Sequence, residues 1–405
     1  MLYYATLFTS LLTGSVLADK NQHESKLTKP LIQTRQDETD PTQPVGTNPI
    51  SRFETQYLGQ QNPNNSCSHR DLGFTGELQG KWYAVYGDTL WCASGVTDPA
   101  SDSDGFHGMV RDAVSLMTDD PLVVVDMHLN DDTPVRHQLQ FVPFNTAWGE
   151  DNTYGFGGTS LFETAGGAGG LFYLVNANDA GLKGAGVAKV ELVDGEPTVT
   201  QRFGDNGYWW PSGSTPRYGD VAAFRDLRSE YVYAWGGAPT SVTDSIGAQY
   251  VYLLRVKAAD AYDLDRYEYW WGPDGWKTGQ PLTEFGAQRA VAWFIGQGQI
   301  VWSEFYECYI FVHLSQYYSL HTLEVKLPSI FDAPSPGGSD VLLRTATSLE
   351  GPWTPDVKVY TATPIDGGLT YAGVAHPYLD PSGQTLTISY TNNNHIEVLK
   401  VTFSK

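Results

Sequence analysis

Short runs of β-branched and aromatic residues recur along this chain in pairs, and no stretch carries the apolar period of an amphipathic helix. Residues 172–176 (FYLVN) are followed by 187–190 (VAKV), 231–235 (YVYAW) by 251–256 (VYLLRV), 309–313 (YIFVH) by 341–345 (VLLRT), and 386–390 (LTISY) by 396–401 (IEVLKV). Residues 82–86 followed by 109–116 make the fifth case. A further strand precedes the pair at 159–162, 221–224, 300–302 and 375–379, and an aromatic one follows at 267–271. Five copies of a three- or four-stranded antiparallel unit predict an all-β fold, a five-bladed β-propeller over residues 64–405. A β-sandwich would also bury such strands, but it gives no reason for one strand order to return five times. The 42 glycines and the 13% aromatic content suit short strands joined by tight turns.

In a propeller the first strand of each blade lines the central axis, and the residues that open it face one mouth of the channel. Those positions are Asp71, residues 157–159, Asp220, residues 297–299 with Gln299, and residues 371–376 with Tyr371 and His376. The segment 70–91 (RDLGFTGELQGKWYAVYGDTLW) reads as a hairpin turning at Gln79-Gly80. Antiparallel pairing then brings Asp71 and Asp88 to the same end. Two acids at one edge are the minimum equipment for general acid/base work on a sugar. Asp220 opens the third inner strand and completes the catalytic candidates Asp71, Asp88 and Asp220.

Arg111-Asp112 interrupts an apolar strand, so the pair must be satisfied if buried. Either it is a structural ion pair, or Arg111 keeps a catalytic carboxylate ionised while Asp112 reaches the sugar. Glu163 and Glu304 stand at the far ends of their strands, away from the mouth. Trp91, Arg111, Asp112, Gln299, Tyr371 and His376 are the substrate-binding candidates. Trp209, Trp210, Trp271 and Trp276 could stack on sugar, although most aromatics in such a fold pack between blades. His376 beside Pro377 also fits a core hydrogen-bonding histidine.

Residues 1–18 have a short apolar core and a small-residue finish, the pattern of a secretory signal peptide. The expectation is therefore a secreted, extracellular protein. Residues 19–63 are polar and read as a disordered leader. No later segment is apolar for long enough to span a bilayer. The net charge of −21 and pI near 4.6 argue against nucleic acid and anionic membrane as partners. A neutral saccharide and a monomeric protein are expected.

Of the three cysteines, Cys67 and Cys92 flank the opening hairpin and are the expected disulfide, leaving Cys308 free or buried. Asn64-Asn65-Ser66 is a glycosylation sequon. No metal or cofactor is expected. Asp98, Asp102 and Asp104 hint at a calcium loop but lack the closing Glu of the twelve-residue type, and a solvated acidic loop is preferred.

Several motifs occur in a characteristic order: Asp71-Leu72-Gly73, Gly87-Asp88-Thr89, residues 253–256 with 267–270, Gly275-Trp276, residues 344–353 (RTATSLEGPW), and His376-Pro377. Together, over residues 71–403, the sequence resembles the family catalogued as domain of unknown function 4185. The resemblance implies a five-bladed propeller and, by likeness to endo-D-arabinanases in that group, cleavage of a furanoside-containing or other cell-wall polysaccharide. It maps the catalytic pair onto Asp71 and Asp88. Long loops at residues 97–106 and 204–215 depart from the bacterial members. A polysaccharide lyase using His376 or a Tyr as base, with Arg111 neutralising a uronate, and a non-catalytic sugar-binding propeller are the alternatives.

Overall fold

The computed structural model describes residues 41–102, 106–130, 136–177, 180–315 and 339–405. The signal-like segment 1–18, residues 19–40 of the expected leader, and Asp104 lie outside the described residues.

Among the described residues the principal strands fall into five antiparallel groups of four, within one 13-stranded and two six-stranded hydrogen-bonded sheets. The chain enters on β1 (Arg52–Pro63), whose partner comes last. The first group is β2 (Ser68–Leu78), β3 (Lys81–Trp91), β4 (Ala113–Met117) and β5 (Val123–Asp126). The second is β6 (Gly158–Glu163), β7 (Gly169–Ala177), β8 (Gly181–Val193) and β9 (Glu196–Arg202). The third is β10 (Arg217–Arg225), β11 (Tyr231–Gly237), β12 (Tyr250–Lys257) and β13 (Glu268–Trp270). The fourth is β14 (Gly298–Ser303), β15 (Cys308–Leu314), β16 (Ser339–Ala346) and β17 (Val357–Ala362). The fifth is β18 (Thr370–His376), β19 (Thr385–Asn392) and β20 (His395–Ser404), completed by β1 in antiparallel register from Arg52↔Ser404 to Gln61↔Ile396.

The first strands touch in a cycle: β2 meets β6, β6 meets β10, β10 meets β14, β14 meets β18, and β18 returns to β2. Crowding at this axis explains the composition of these strands. A Cβ on Gly76 would collide with the Leu161 backbone of the neighbouring group. Thr75 of β2 ties the centre together. Its hydroxyl donates to the Ala375 carbonyl (2.8 Å), and its backbone accepts from Gln299 Nε2 (3.0 Å). Strand β15 is buried at every position, whereas the outermost β17 alternates with solvent. This gradient makes the inner runs legible as apolar and the outer ones faint.

Two expectations change. Residues 41–63 are not a disordered leader. Ile50 is buried, Asn48 Nδ2 donates to Leu343 O and Pro355 O at 3.0 Å each, and β1 closes the fifth group. Its polar composition follows from its outer place, where one face meets water. The fourth-position run 375–379 is not a strand either. The inner strand ends at His376, and Pro377–Leu379 forms a 3₁₀ turn.

The tryptophans expected as platforms are packing elements. Trp210 is 1% exposed and donates to the Tyr269 hydroxyl (3.0 Å), with Trp209 edge-on beside it. Trp271 lies under Lys277 and Arg289, and Trp276 Nε1 donates to Glu350 (2.9 Å). The Cys67–Cys92 disulfide is formed, and Cys308 is a buried free thiol.

Candidate active site at the opening of the inner strands

Asp71 and Tyr371 meet because two inner strands bulge in the same way. In β2 the register passes from Arg70↔Thr89 to Leu72↔Tyr86, with Leu72 at φ 66° and Gly73 at φ 82°. In β18 a register shift falls between Tyr371 and Val374, with Ala372 at φ 56°. Left-handed backbone at a leucine costs about 1 kcal/mol or more, and strain of this kind gathers where a side chain must be re-aimed. Each bulge turns the residue before it toward its neighbour. The Tyr371 hydroxyl donates to Asp71 Oδ2 at 2.5 Å, while Oδ1 is buried without a hydrogen-bond partner.

Asp88 arrives from β3 on the other side. Gly87 is the space that lets it, since a Cβ there would collide with the Asp71 carboxylate. The Arg111 guanidinium stands 3.7 Å from Asp88 Oδ1, and the Asp88 side chain is 39% exposed. Burial, reinforced by the Asp88 carboxylate, pushes Asp71 up to about 7. The Tyr371 hydroxyl and the nearby amides of Asp88 and Gly87 oppose that rise, although neither amide forms a hydrogen bond of good geometry to Oδ1. Asp88 is also raised by burial, with Arg111 pulling the other way. A buried carboxyl beside a more exposed one resists ionisation, so Asp71 is the member that keeps its proton toward neutral pH while Asp88, beside Arg111, has the help to ionise. That is the equipment for donating a proton to one oxygen while an anion acts nearby.

A buried ion pair anchors the hairpin behind this site. Arg70 donates to both oxygens of Asp126, at 2.9 and 3.0 Å, and lies 4.5 Å from the centre of the Tyr86 ring. The only trace of it in the sequence is a lone Arg in a strand.

The remaining candidates fall elsewhere. Asp112 does not reach the mouth. It is fully buried, and its Oδ2 accepts from the Val142 amide (2.9 Å). Arg111 and Asp112 lie at a bend just before β4 rather than inside a strand, and there the two side chains part, Arg111 to Asp88 and Asp112 inward. Asp220 accepts from Arg217 Nε (2.5 Å) and the Gly237 amide (2.8 Å), and among the described residues no hydrogen bond links it to Asp71 or Asp88. Gln299 is committed to Thr75 at the centre of the ring. His376 lies five residues beyond Tyr371 along β18, about 16 Å at the usual rise. It is enclosed, bonded to Ser389 Oγ (2.9 Å), and pulled down to about 3 by burial, so it is a neutral core residue. Trp91 stacks on His137 with centroids 4.3 Å apart, which covers one face. Glu163 and Glu304 stand at the opposite end, beside a cavity of about 910 Å³. Asn64 is exposed.

His69, Cys92 and Asp102 approach one another, but the Cys92 sulfur is in the disulfide. Asp102 serves His69 at 3.0 Å and reaches His107 at 3.9 Å, so its carboxylate is part of a side-chain cluster rather than of a solvated loop.

No family model matches the chain, and no curated protein matches it. Among solved structures it is similar to a protein of Bacteroides ovatus described provisionally as a hydrolase, at 16% identity over 85% of this chain and 87% of that one, with a TM-score of 0.53. It is also similar, at 11% identity, to the exo-β-1,3-galactanase of Phanerochaete chrysosporium bound to β-1,3-galactotriose. That match covers 85% of this chain but 64% of the galactanase chain, with a TM-score of 0.47. A third, the GH43_1 enzyme from Xanthomonas citri, is 12% identical over 84% of this chain and 90% of that one, with a TM-score of 0.44. At these identities the likeness is one of fold.

Proposed function

We propose that the five strand groups are the blades of a five-bladed β-propeller, and that the chain is a secreted glycoside hydrolase of the endo-D-arabinanase-like kind. Its substrate is a furanoside-containing or other cell-wall polysaccharide. One observation carries the reading: Asp71 and Asp88 share a site with Tyr371 and Arg111 where two inner strands open. The protonated member of the pair gives its proton to the departing glycosidic oxygen. The ionised member attacks the anomeric carbon or draws a proton from the water that does. Arg111 favours ionisation of Asp88, and Tyr371 holds the Asp71 carboxyl in place. The resemblance of the ordered motifs from Asp71 to His376-Pro377 supports the same substrate class.

The lyase alternative is less well supported. His376 is sealed in the core, and burial with the Asp71 charge holds the Tyr371 proton more firmly than usual. A general base needs the reverse.

The test is a screen of the full chain against arabinans, galactofuranans and uronic-acid gums, with Asp71→Asn and Asp88→Asn alongside. New reducing ends, lost in both variants, are expected. Ultraviolet-absorbing unsaturated products would replace the hydrolase by a lyase. Saccharide binding without turnover would leave a sugar-binding propeller.

A further inference from the structure

The inner strands end, as well as begin, around an opening. At the ends of β2, β6 and β14 and just after β18 lies the cavity of about 910 Å³, near the top of the range of roughly 300–1,000 Å³ usual for ligand sites. It is a different place from the acid pair. Glu77 stands six positions beyond Asp71 along β2, toward the strand's other end, and the Thr75–Gln299 hydrogen bonds lie between them.

Its walls are unequal in kind. Trp82 and Tyr378 stack with centroids 5.2 Å apart, and the Trp302 ring carries the Arg228 guanidinium 3.4 Å above its centre. Glu77, Glu163 and Glu304 present carboxylates. The cations are largely spoken for. Arg225 donates to three backbone carbonyls, of Asp226, Ser229 and Tyr231, and Lys257 pairs with Glu230 at 3.0 Å. Glu77, Glu163 and Glu304 are carboxylates on this wall that no ion pair holds among the described residues.

We propose that this cavity is a second saccharide site, which binds a neutral oligosaccharide and performs no chemistry. The apolar faces of the sugar rings lie on the Trp82–Tyr378 wall, and sugar hydroxyls donate to Glu77, Glu163 and Glu304. An excess of carboxylates over uncommitted cations turns away uronates and phosphates. The inference goes beyond the hydrolase reading, which guides only the choice of probe.

The experiment measures binding of arabino-oligosaccharides to the full-length Asp88→Asn protein by calorimetry, with an oligogalacturonate as the anionic control. Glu77→Gln and Glu304→Gln keep the shape of the side chain and delete the carboxylate charge, so both leave the fold's packing close to intact. Each is expected to weaken one binding event about three- to tenfold, and Trp82→Ala more. In a background with intact Asp71 and Asp88, the same three changes leave cleavage of a short chromogenic glycoside unchanged and raise KM for polymer. Equal affinity in Glu77→Gln, Glu304→Gln and their parent overturns the site, as does tighter binding of the oligogalacturonate. Loss of turnover on every saccharide with this binding retained would overturn the hydrolase and leave the second site standing.

Discussion

Replacing Asp71 by Asn separates what the carboxyl does for chemistry from what it costs the fold. Burial and Asp88 raise it from an ordinary 3.8 to about 7, a shift of about three units. At 1.36 kcal/mol per unit, the ionised form is penalised by at most about 4 kcal/mol, and sharing that penalty with Asp88 leaves an expected 2–3 kcal/mol. The sign follows from which state holds the proton. Below the unfolded value of 3.8 both states are protonated, and the penalty is absent. Between 3.8 and about 7 the unfolded chain releases its proton while the folded one keeps it, so stability falls as pH rises; above about 7 the loss is complete. Asn cannot ionise, and its carbonyl still accepts from Tyr371. Urea unfolding of both proteins should therefore show Asp71→Asn equal to its parent near pH 3.5 and more stable by about 2–3 kcal/mol at pH 8. The same variant should be inactive at either pH. A difference that does not change with pH, or a variant less stable at pH 8, would mean that Asp71 is ionised in the folded protein and does not keep its proton toward neutral pH.

Gly87→Ala places a methyl against the Asp71 carboxylate, and it should lower kcat by an order of magnitude or more while circular dichroism stays that of the parent. Arg111→Met removes the cation that favours ionised Asp88. The acid limb of the rate profile should move to higher pH, and an unmoved limb would free Asp88 of that dependence. Reducing Cys67–Cys92, with its 25-residue separation, should cost about 3 kcal/mol in denaturant midpoint experiments. Cys308 is buried and its thiol is pushed up to about 11, so a thiol reagent should label it only on unfolding.

The parts of this architecture legible in the sequence are those whose burial leaves a period. Strands β7, β11, β15 and β19 are buried on nearly every residue, and their apolar runs stand out. Strand β1 was illegible for the opposite reason: its exposed outer face makes it look like linker, and its partner lies more than 300 residues away. The Asp71–Asp88 pairing was legible because a hairpin is local, so matched strand lengths bring its ends together whatever the rest does. Tyr371 was legible only as a position at the axis. Its bond to Asp71 depends on two bulges, and a bulge is written in nothing more than a glycine two residues on, at Gly73 and Gly373. His376 was misplaced among the binding candidates because axial strands have two ends, and the pattern of apolar residues does not say which end a given side chain serves.

The same ambiguity bears on function. A ring of five converging strands makes two openings, and each collects polar side chains from positions far apart in sequence. What distinguishes them is what surrounds their carboxyls. At the first opening Asp71 and Asp88 stand with one arginine and one tyrosine, and burial with the Asp88 charge raises Asp71 to about 7. At the second, Glu77, Glu163 and Glu304 line a cavity wide enough to hold a ligand. Acid/base chemistry needs the first arrangement, because neighbours that disagree about ionisation supply a donor and an anion at one pH. Binding a neutral saccharide suits the second, where a cavity has room for the ligand and the glutamates on its wall accept its hydroxyls.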